Sequence, residues 1–281
     1  MRKLSYLIRE ARQNTNTTDV EAITDFLCVS LLNRAQEFIQ AFLFTQNIES
    51  KIFRKVYTLT LISGTDTYAL PFDIYARNSI NNVLYKNNDI YSPMRQIAEK
   101  ARGSTTGYFL SDSTIIFCPI PRNAFDVSIS YTKRLPPVGI SYGTVSSVTL
   151  NTKITLSGGY TLMTGIDDFF CIVDVNGTII RNGLVVSQTG ADLALTDTSS
   201  ITAGMFVVPG SYVTTICQLP DELEAALIMS LETSINARMS TKDIKISKPF
   251  SDEMLAIIGA MFSENTTDTF TPPAVEYAEW L

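Results

Sequence analysis

The stretch Phe169-Phe170-Cys171-Ile172-Val173-Asp174-Val175-Asn176-Gly177-Thr178-Ile179-Ile180-Arg181 sets two aromatic and β-branched runs on either side of an Asn-Gly pair. Such side chains suit a pleated, half-buried surface, and Asn-Gly accepts the positive φ angles of a type I′ turn, so a β-hairpin is expected. Outward from it, Ser147–Leu150, Lys153–Leu156, Leu184–Ser187, Ala191–Leu195 and Met205–Val208 have the same strand character between Gly, Ser and Thr. Residues 138–217 therefore read as an inserted all-β module. It follows Leu135-Pro136-Pro137 and ends before Leu219-Pro220-Asp221-Glu222, where Pro suits a first helical turn and the acids suit the positive end of the helix dipole.

On the N-terminal side the period changes. Leu4, Leu7, Ile8 and Ala11 predict a short helix, and Ile23, Phe26, Leu27, Leu31, Ala35, Phe38, Ile39, Phe42 and Leu43 predict a long one over Asp19–Thr45, with Thr18 and Glu21 as its capping box. Alternation at Val56–Ile62 and strand-like runs at Asn82–Tyr85, Gly107–Leu110, Thr114–Cys118 and Val127–Lys133 predict an antiparallel sheet. After the module, Leu223, Leu227, Leu231 and Ile235 line one helix. Phe250, Met254, Ile257, Ile258 and Met261 line another. The expected fold is α+β: a helical bundle from N- and C-terminal helices, an antiparallel β domain and the inserted module. The expected domains are 1–137 with 218–262 as a discontinuous parent, 138–217 as the insert, and 263–281 as an acidic C-terminal docking tail.

Composition removes whole classes of chemistry. The chain has 281 residues and no histidine, so Ser/His/Asp triads, Cys/His pairs and HExxH zinc sites are excluded. Its four cysteines, Cys28, Cys118, Cys171 and Cys217, lack ligand spacing and read as buried free thiols. With 45% hydrophobic and 18% charged residues and no apolar run near the roughly 18 residues of a membrane span, the composition is globular. The N-terminus starts with basic residues, but no apolar signal region follows, and export by that route is not expected. A net charge of -6 argues against duplex DNA binding as the main activity. The acids concentrate in two places: residues 138–217 hold five against Lys153 and Arg181, and the tail holds Glu264, Asp268, Glu276 and Glu279 against no cation.

Several segments taken in order resemble the head-to-tail adaptor (connector) proteins of short-tailed bacteriophages. They are an N-terminal helix, Thr67-Tyr68-Ala69-Leu70-Pro71-Phe72-Asp73, Gly107-Tyr108-Phe109, Thr114-Ile115-Ile116-Phe117-Cys118-Pro119-Ile120-Pro121, Val127-Ser128-Ile129-Ser130-Tyr131, Leu135-Pro136-Pro137 and Leu219-Pro220-Asp221-Glu222-Leu223. The resemblance implies a structural virion protein at the portal vertex, made in the host cytoplasm. It implies a ring, commonly of twelve copies in the family, that contacts portal and tail or nozzle proteins. DNA would pass through without sequence-specific contact, with no cofactor, catalytic site or membrane role. The inserted module departs from the smaller adaptors.

Individual segments carry competing readings. Leu70-Pro71-Phe72-Asp73 and Pro119-Ile120-Pro121 are candidate contacts between ring subunits, although Pro after a strand most often simply ends it. Asp167-Asp168 could serve a carboxylate-only hydrolase, yet in a Gly/Asp loop they read as turn residues. Gly158-Gly159 lacks the pattern of a phosphate loop. Arg2, Lys3, Arg9 and Arg12, opposed by Glu10, could meet an acidic neighbour or simply be solvated. The tail keeps the only tryptophan of the chain, and Phe270, Pro272, Pro273, Tyr277, Trp280 and Leu281 are the expected docking residues. The alternative function is a carbohydrate- or receptor-binding tail or decoration protein acting through the 138–217 module.

Overall fold

The computed structural model describes residues 4–17, 23–45, 53–87, 90–99, 105–150, 152–157, 169–184, 187–195, 197–239 and 250–263. Their contacts divide into two compact units, Met1–Asn47 with Pro136–Met261, and Ile48–Leu135 with the residues from Phe262 on.

The first unit starts with α1 (Leu4–Asn14) and α2 (Asp25–Thr45). The four apolar residues expected to face inward on α1, Leu4, Leu7, Ile8 and Ala11, are all buried. The α2 face is rotated from the expected stripe. Cys28, Val29, Leu32, Ala35, Gln36, Ile39, Gln40 and Leu43 are buried, while Phe26 is 80% exposed. Two polar side chains account for part of this face. Gln36 donates to Pro136 O (2.9 Å) and accepts from the Cys217 thiol (3.3 Å), and Asn33 exchanges two hydrogen bonds with Val138 (2.9 and 2.7 Å). The helix thus clasps the chain where it passes into and out of residues 138–217.

Those residues form one seven-stranded antiparallel sheet. Its strands are β8 (Gly143–Thr149), β9 (Lys153–Ser157), β10 (Phe170–Val173), β11 (Ile179–Leu184), β12 (Ser187–Thr189), β13 (Asp192–Ala194) and β14 (Phe206–Pro209), in the order β11-β10-β14-β8-β9-β13-β12. Val145, Ile154, Leu156, Phe170, Ile172, Leu193 and Val207 make its main core. The β10–β11 hairpin forms where Asn176-Gly177 pointed, but not through a type I′ turn. Only Gly177 has positive φ (84°), and the Asp174 carboxylate caps the loop by accepting from the N–H groups of Asn176 and Thr178, both at 2.8 Å. Beyond the module come α3 (Glu224–Met239) and α4 (Asp252–Ser263). Leu227, Leu231 and Ile235 are buried on α3, as are Leu255 and Ile258 on α4, but Ile257 points out.

The second unit has two antiparallel sheets around a shared core. One contains β1 (Arg54–Leu61), β3 (Ile80–Asn87), β4 (Ile90–Pro93) and β7 (Phe125–Thr132) in the order β1-β7-β3-β4. The other contains β2 (Thr67–Ala69), β5 (Gly107–Ser111) and β6 (Thr114–Cys118) in the order β2-β6-β5. Leu61, Val83, Val127, Ile129 and Tyr131 from the first meet Tyr108, Ile115 and Phe117 from the second.

The expected α+β fold with a bundle of N- and C-terminal helices is therefore corrected. The described residues are mostly β, with fourteen strands in three antiparallel sheets and four α-helices that form no bundle. The 3.6-residue period on each helix identifies a buried face but not what covers it. On α2 the covering includes the module's connecting backbone, and Phe26, Met229, Met239 and Ile257 on the helices are exposed. The long helix expected from Asp19 starts only at Asp25, because Thr24 Oγ1 accepts from Leu27 N–H (3.2 Å) and caps it there, whereas Thr18, Asp19, Glu21 and Pro249 lie outside the described residues.

Candidate interaction surface

Residues Leu70 to Asp73 turn sharply after β2. Leu70 donates its N–H to Ser113 O (2.8 Å) and its side chain packs on the shared core. Ile74 N–H closes back on Pro71 O (3.1 Å), which sends Phe72 outward at 69% exposure and Asp73 inward at 3%. A buried carboxylate needs donors. Asp73 Oδ1 accepts from the buried Tyr131 hydroxyl and Oδ2 from Lys55 Nζ, each at 2.6 Å, and its carbonyl accepts from Arg134 N–H, also at 2.6 Å. β1 and β7 supply these partners side by side, since Lys55 faces Tyr131 in the antiparallel register. Lys133 lies in the same cluster. Burial pushes its ammonium below the ordinary lysine value and Lys55 adds to the depression, while Asp73 opposes it.

The Pro119-Ile120-Pro121 segment has a similar plan. Pro121 is buried and its carbonyl accepts from Gly64 N–H (2.9 Å), while Ser63 Oγ donates to Arg122 O (2.7 Å). Ile120 is left 53% exposed and Ile62, next to this turn, 61%. Both proline segments do end strands, and both also display a large apolar side chain from a backbone tied down on either side.

β1 adds an open edge. It pairs with β7 through eight consecutive residues without a bulge, and no strand among the described residues lies on its other side. Val56 is 59% exposed and Tyr57 37%. At its first residues Lys55 and Lys133 lie by Asp73, Arg54 donates to Ser130 Oγ (2.9 Å) on the alternate face, and Arg134 follows Lys133, an excess of cations in an acidic chain.

The other sequence candidates fall differently. Arg12 is committed to Asp25 (2.8 Å) and Ile23 O (2.5 Å) and helps line an open cleft of about 500 Å³, whereas Arg9 lies over the Tyr6 ring. Arg2 and Lys3 lie outside the described residues, as do Gly158-Gly159, Asp167-Asp168 and the tail residues Phe270, Pro272, Pro273, Tyr277, Trp280 and Leu281. All four cysteines are buried and free, as expected, and burial pushes the Cys217 thiol up to about 11. Among the described residues no group of three or more Cys, Asp or Glu could hold a metal ion, and no helix is long and apolar enough to cross a membrane. The reading of the sequence missed Lys55 and the role of Asp73. An acid directly after Leu-Pro-Phe at a strand end was the available signal.

A family model described as SU10 adaptor protein matches residues 2–151. The chain belongs to the SU10 adaptor protein family. The matched part of this adaptor takes in α1, α2, the Ile48–Leu135 part of the second unit and β8, and so includes Asp73, Tyr131, Phe72, Ile120 and the β1 edge. Strands β9–β14 and helices α3 and α4 lie beyond it. Membership makes the chain a phage structural adaptor. No curated protein matches the adaptor.

Proposed function

We propose that this adaptor is a virion protein that forms a ring, joins the portal vertex of the capsid to the tail, and lines the DNA conduit. The observation that carries this reading is the family match over the segment that fixes Phe72 and Ile120 outward on a rigid β framework. Exposed apolar residues held by buried hydrogen bonds suit protein contacts, because little ordering entropy is lost on docking. The net charge of -6 suits a conduit through which DNA slides without sticking. In this role the adaptor performs no catalysis and needs no cofactor. Its partners are the portal, tail or nozzle proteins and further copies of itself. The tail docks through Phe270, Pro272, Pro273, Tyr277, Trp280 and Leu281 onto the portal or a neighbouring subunit, and residues 138–217 are a module that folds by itself.

Sedimentation of the purified chain with and without portal protein tests the reading. The chain alone should sediment as a monomer or loose oligomer and should co-sediment with the portal as a closed ring. A chain that leaves the portal unchanged at every ratio refutes it.

A further inference from the structure

Hydrogen bonding along β7 fixes which backbone groups of β1 are left over. Lys133 N–H donates to Phe53 O (2.7 Å), whereas Tyr75 N–H is satisfied by Thr132 O (3.0 Å) on the opposite side of the same strand. Antiparallel partners exchange bonds at alternate residues. In the observed register Lys55, Tyr57, Leu59 and Leu61 therefore bond to β7, and Arg54, Val56, Thr58 and Thr60 aim their N–H and C=O groups away from the sheet. Edges left open in this way are ordinarily blunted by shortness, proline, bulges or central charges. Other edges here show such devices: β4 has four residues and ends in Pro93, β2 has three, and β11 pairs with register shifts. β1 has eight regular residues with its charges only at the start, followed by Val-Tyr-Thr-Leu-Thr-Leu.

We infer that the open edge of β1 receives residues 274–281 of a second copy as an added antiparallel strand. The inference rests on the ring reading above and selects one of its two docking sites for the tail. Residues 274–281 follow Pro272-Pro273, which cannot continue such a ladder, so the strand begins after them. With Leu281 opposite Arg54, Glu279 lies beside Arg54, and Trp280 stands opposite Lys55 within reach of Tyr57. The acidic tail, which has no cation, meets Arg54 on one face and Lys55 with Lys133 on the other, and its apolar residues cover Val56 and Tyr57. Donor and acceptor are different patches of one chain, so the contact is heterologous and its repetition by rotation closes a ring.

Cross-linking between full-length copies tests this. Chains bearing Thr58→Cys are mixed at high concentration with chains bearing Val275→Cys, which in this register lies diagonally across on the same face, and treated with a short bismaleimide. The native thiols are buried and do not compete. A cross-copy dimer band is expected. It should fall about tenfold when Thr60→Pro, which removes one outward N–H and leaves the β7 ladder intact, is added to the Thr58→Cys chain. It should also weaken at high salt. Circular dichroism of the Thr60→Pro variant confirms its fold. Absence of the band, a band indifferent to the proline, or a link found only within single chains carrying both cysteines overturns the inference. Rings on the portal without the cross-copy link would leave the adaptor reading standing, and failure to bind portal would defeat that reading whatever the cross-link shows.

Discussion

Tyr131→Phe removes one oxygen from a buried site and should cost more than breaking the ion pair next to it. The Tyr131 hydroxyl donates at 2.6 Å to Asp73 Oδ1, and both residues are almost wholly enclosed, at 0% and 3% exposure. Without the hydroxyl, that carboxylate oxygen loses a charge-assisted donor in a place water does not reach, a loss of about 2 kcal/mol. Lys55 also approaches Asp73 at 2.6 Å, but its side chain is 49% exposed, so water and salt screen the pair. Lys55→Met should then cost less than about 1 kcal/mol. Urea unfolding followed by circular dichroism measures both as midpoint shifts at constant slope. Adding Tyr131→Phe to Asp73→Asn should cost less than adding it to the native chain, because the two share one interaction. A Tyr131→Phe loss equal to or smaller than that of Lys55→Met would refute the claim that the buried hydroxyl, not the salt bridge, anchors the Phe72 turn.

Gly177→Ala forces a side chain at φ 84° into Gln218 Nε2 (2.8 Å) and Ile216 Cβ (2.9 Å) and should cost about 3 kcal/mol, whereas Gly190→Ala, at φ 62° with open space, should cost about 1 kcal/mol; equal thermal shifts would contradict this. Because the Lys133 ammonium is held below its ordinary value in the folded chain, the unfolded chain binds more protons between the two values. The native protein should therefore gain stability as pH rises through that window, and Lys133→Met should remove this gain in melting curves. Deleting residues 264–281 should leave circular dichroism unchanged, while Trp280→Ala should weaken assembly by about 2 kcal/mol; a truncated chain that assembles normally returns the tail to an inert segment. Replacing 138–217 by a short Gly/Ser bridge should preserve a cooperative transition at a lower midpoint, since the Asn33 and Gln36 bonds to Val138 and Cys217 are lost, and a broad non-cooperative melt would count against an independent module.

Strand identity was legible because alternation and turn residues are local signals. The runs at Val56–Ile62, Thr114–Cys118 and Val127–Lys133 became β1, β6 and β7 with boundaries moved by a few residues. The arrangement of elements was not legible. Helical periodicity on α2 marked an apolar stripe, but nothing in it showed that Gln36 and Asn33 bond backbone far away in sequence. The expected single parent sheet split in two because nothing local says which runs pair. In the interaction surface, Phe72 and Ile120 stood inside the family segments, whereas the enclosure of Asp73 by Lys55 and Tyr131 depends on a strand pairing invisible to any short window.

The central claim is that the chain sits between portal and tail. A low-resolution image of intact particles carrying a gold-labelled copy of the chain tests it most directly. The account predicts label confined to one vertex, on a ring directly beneath the portal. Label spread over the capsid faces, or gathered at the distal tip of the tail, would contradict it.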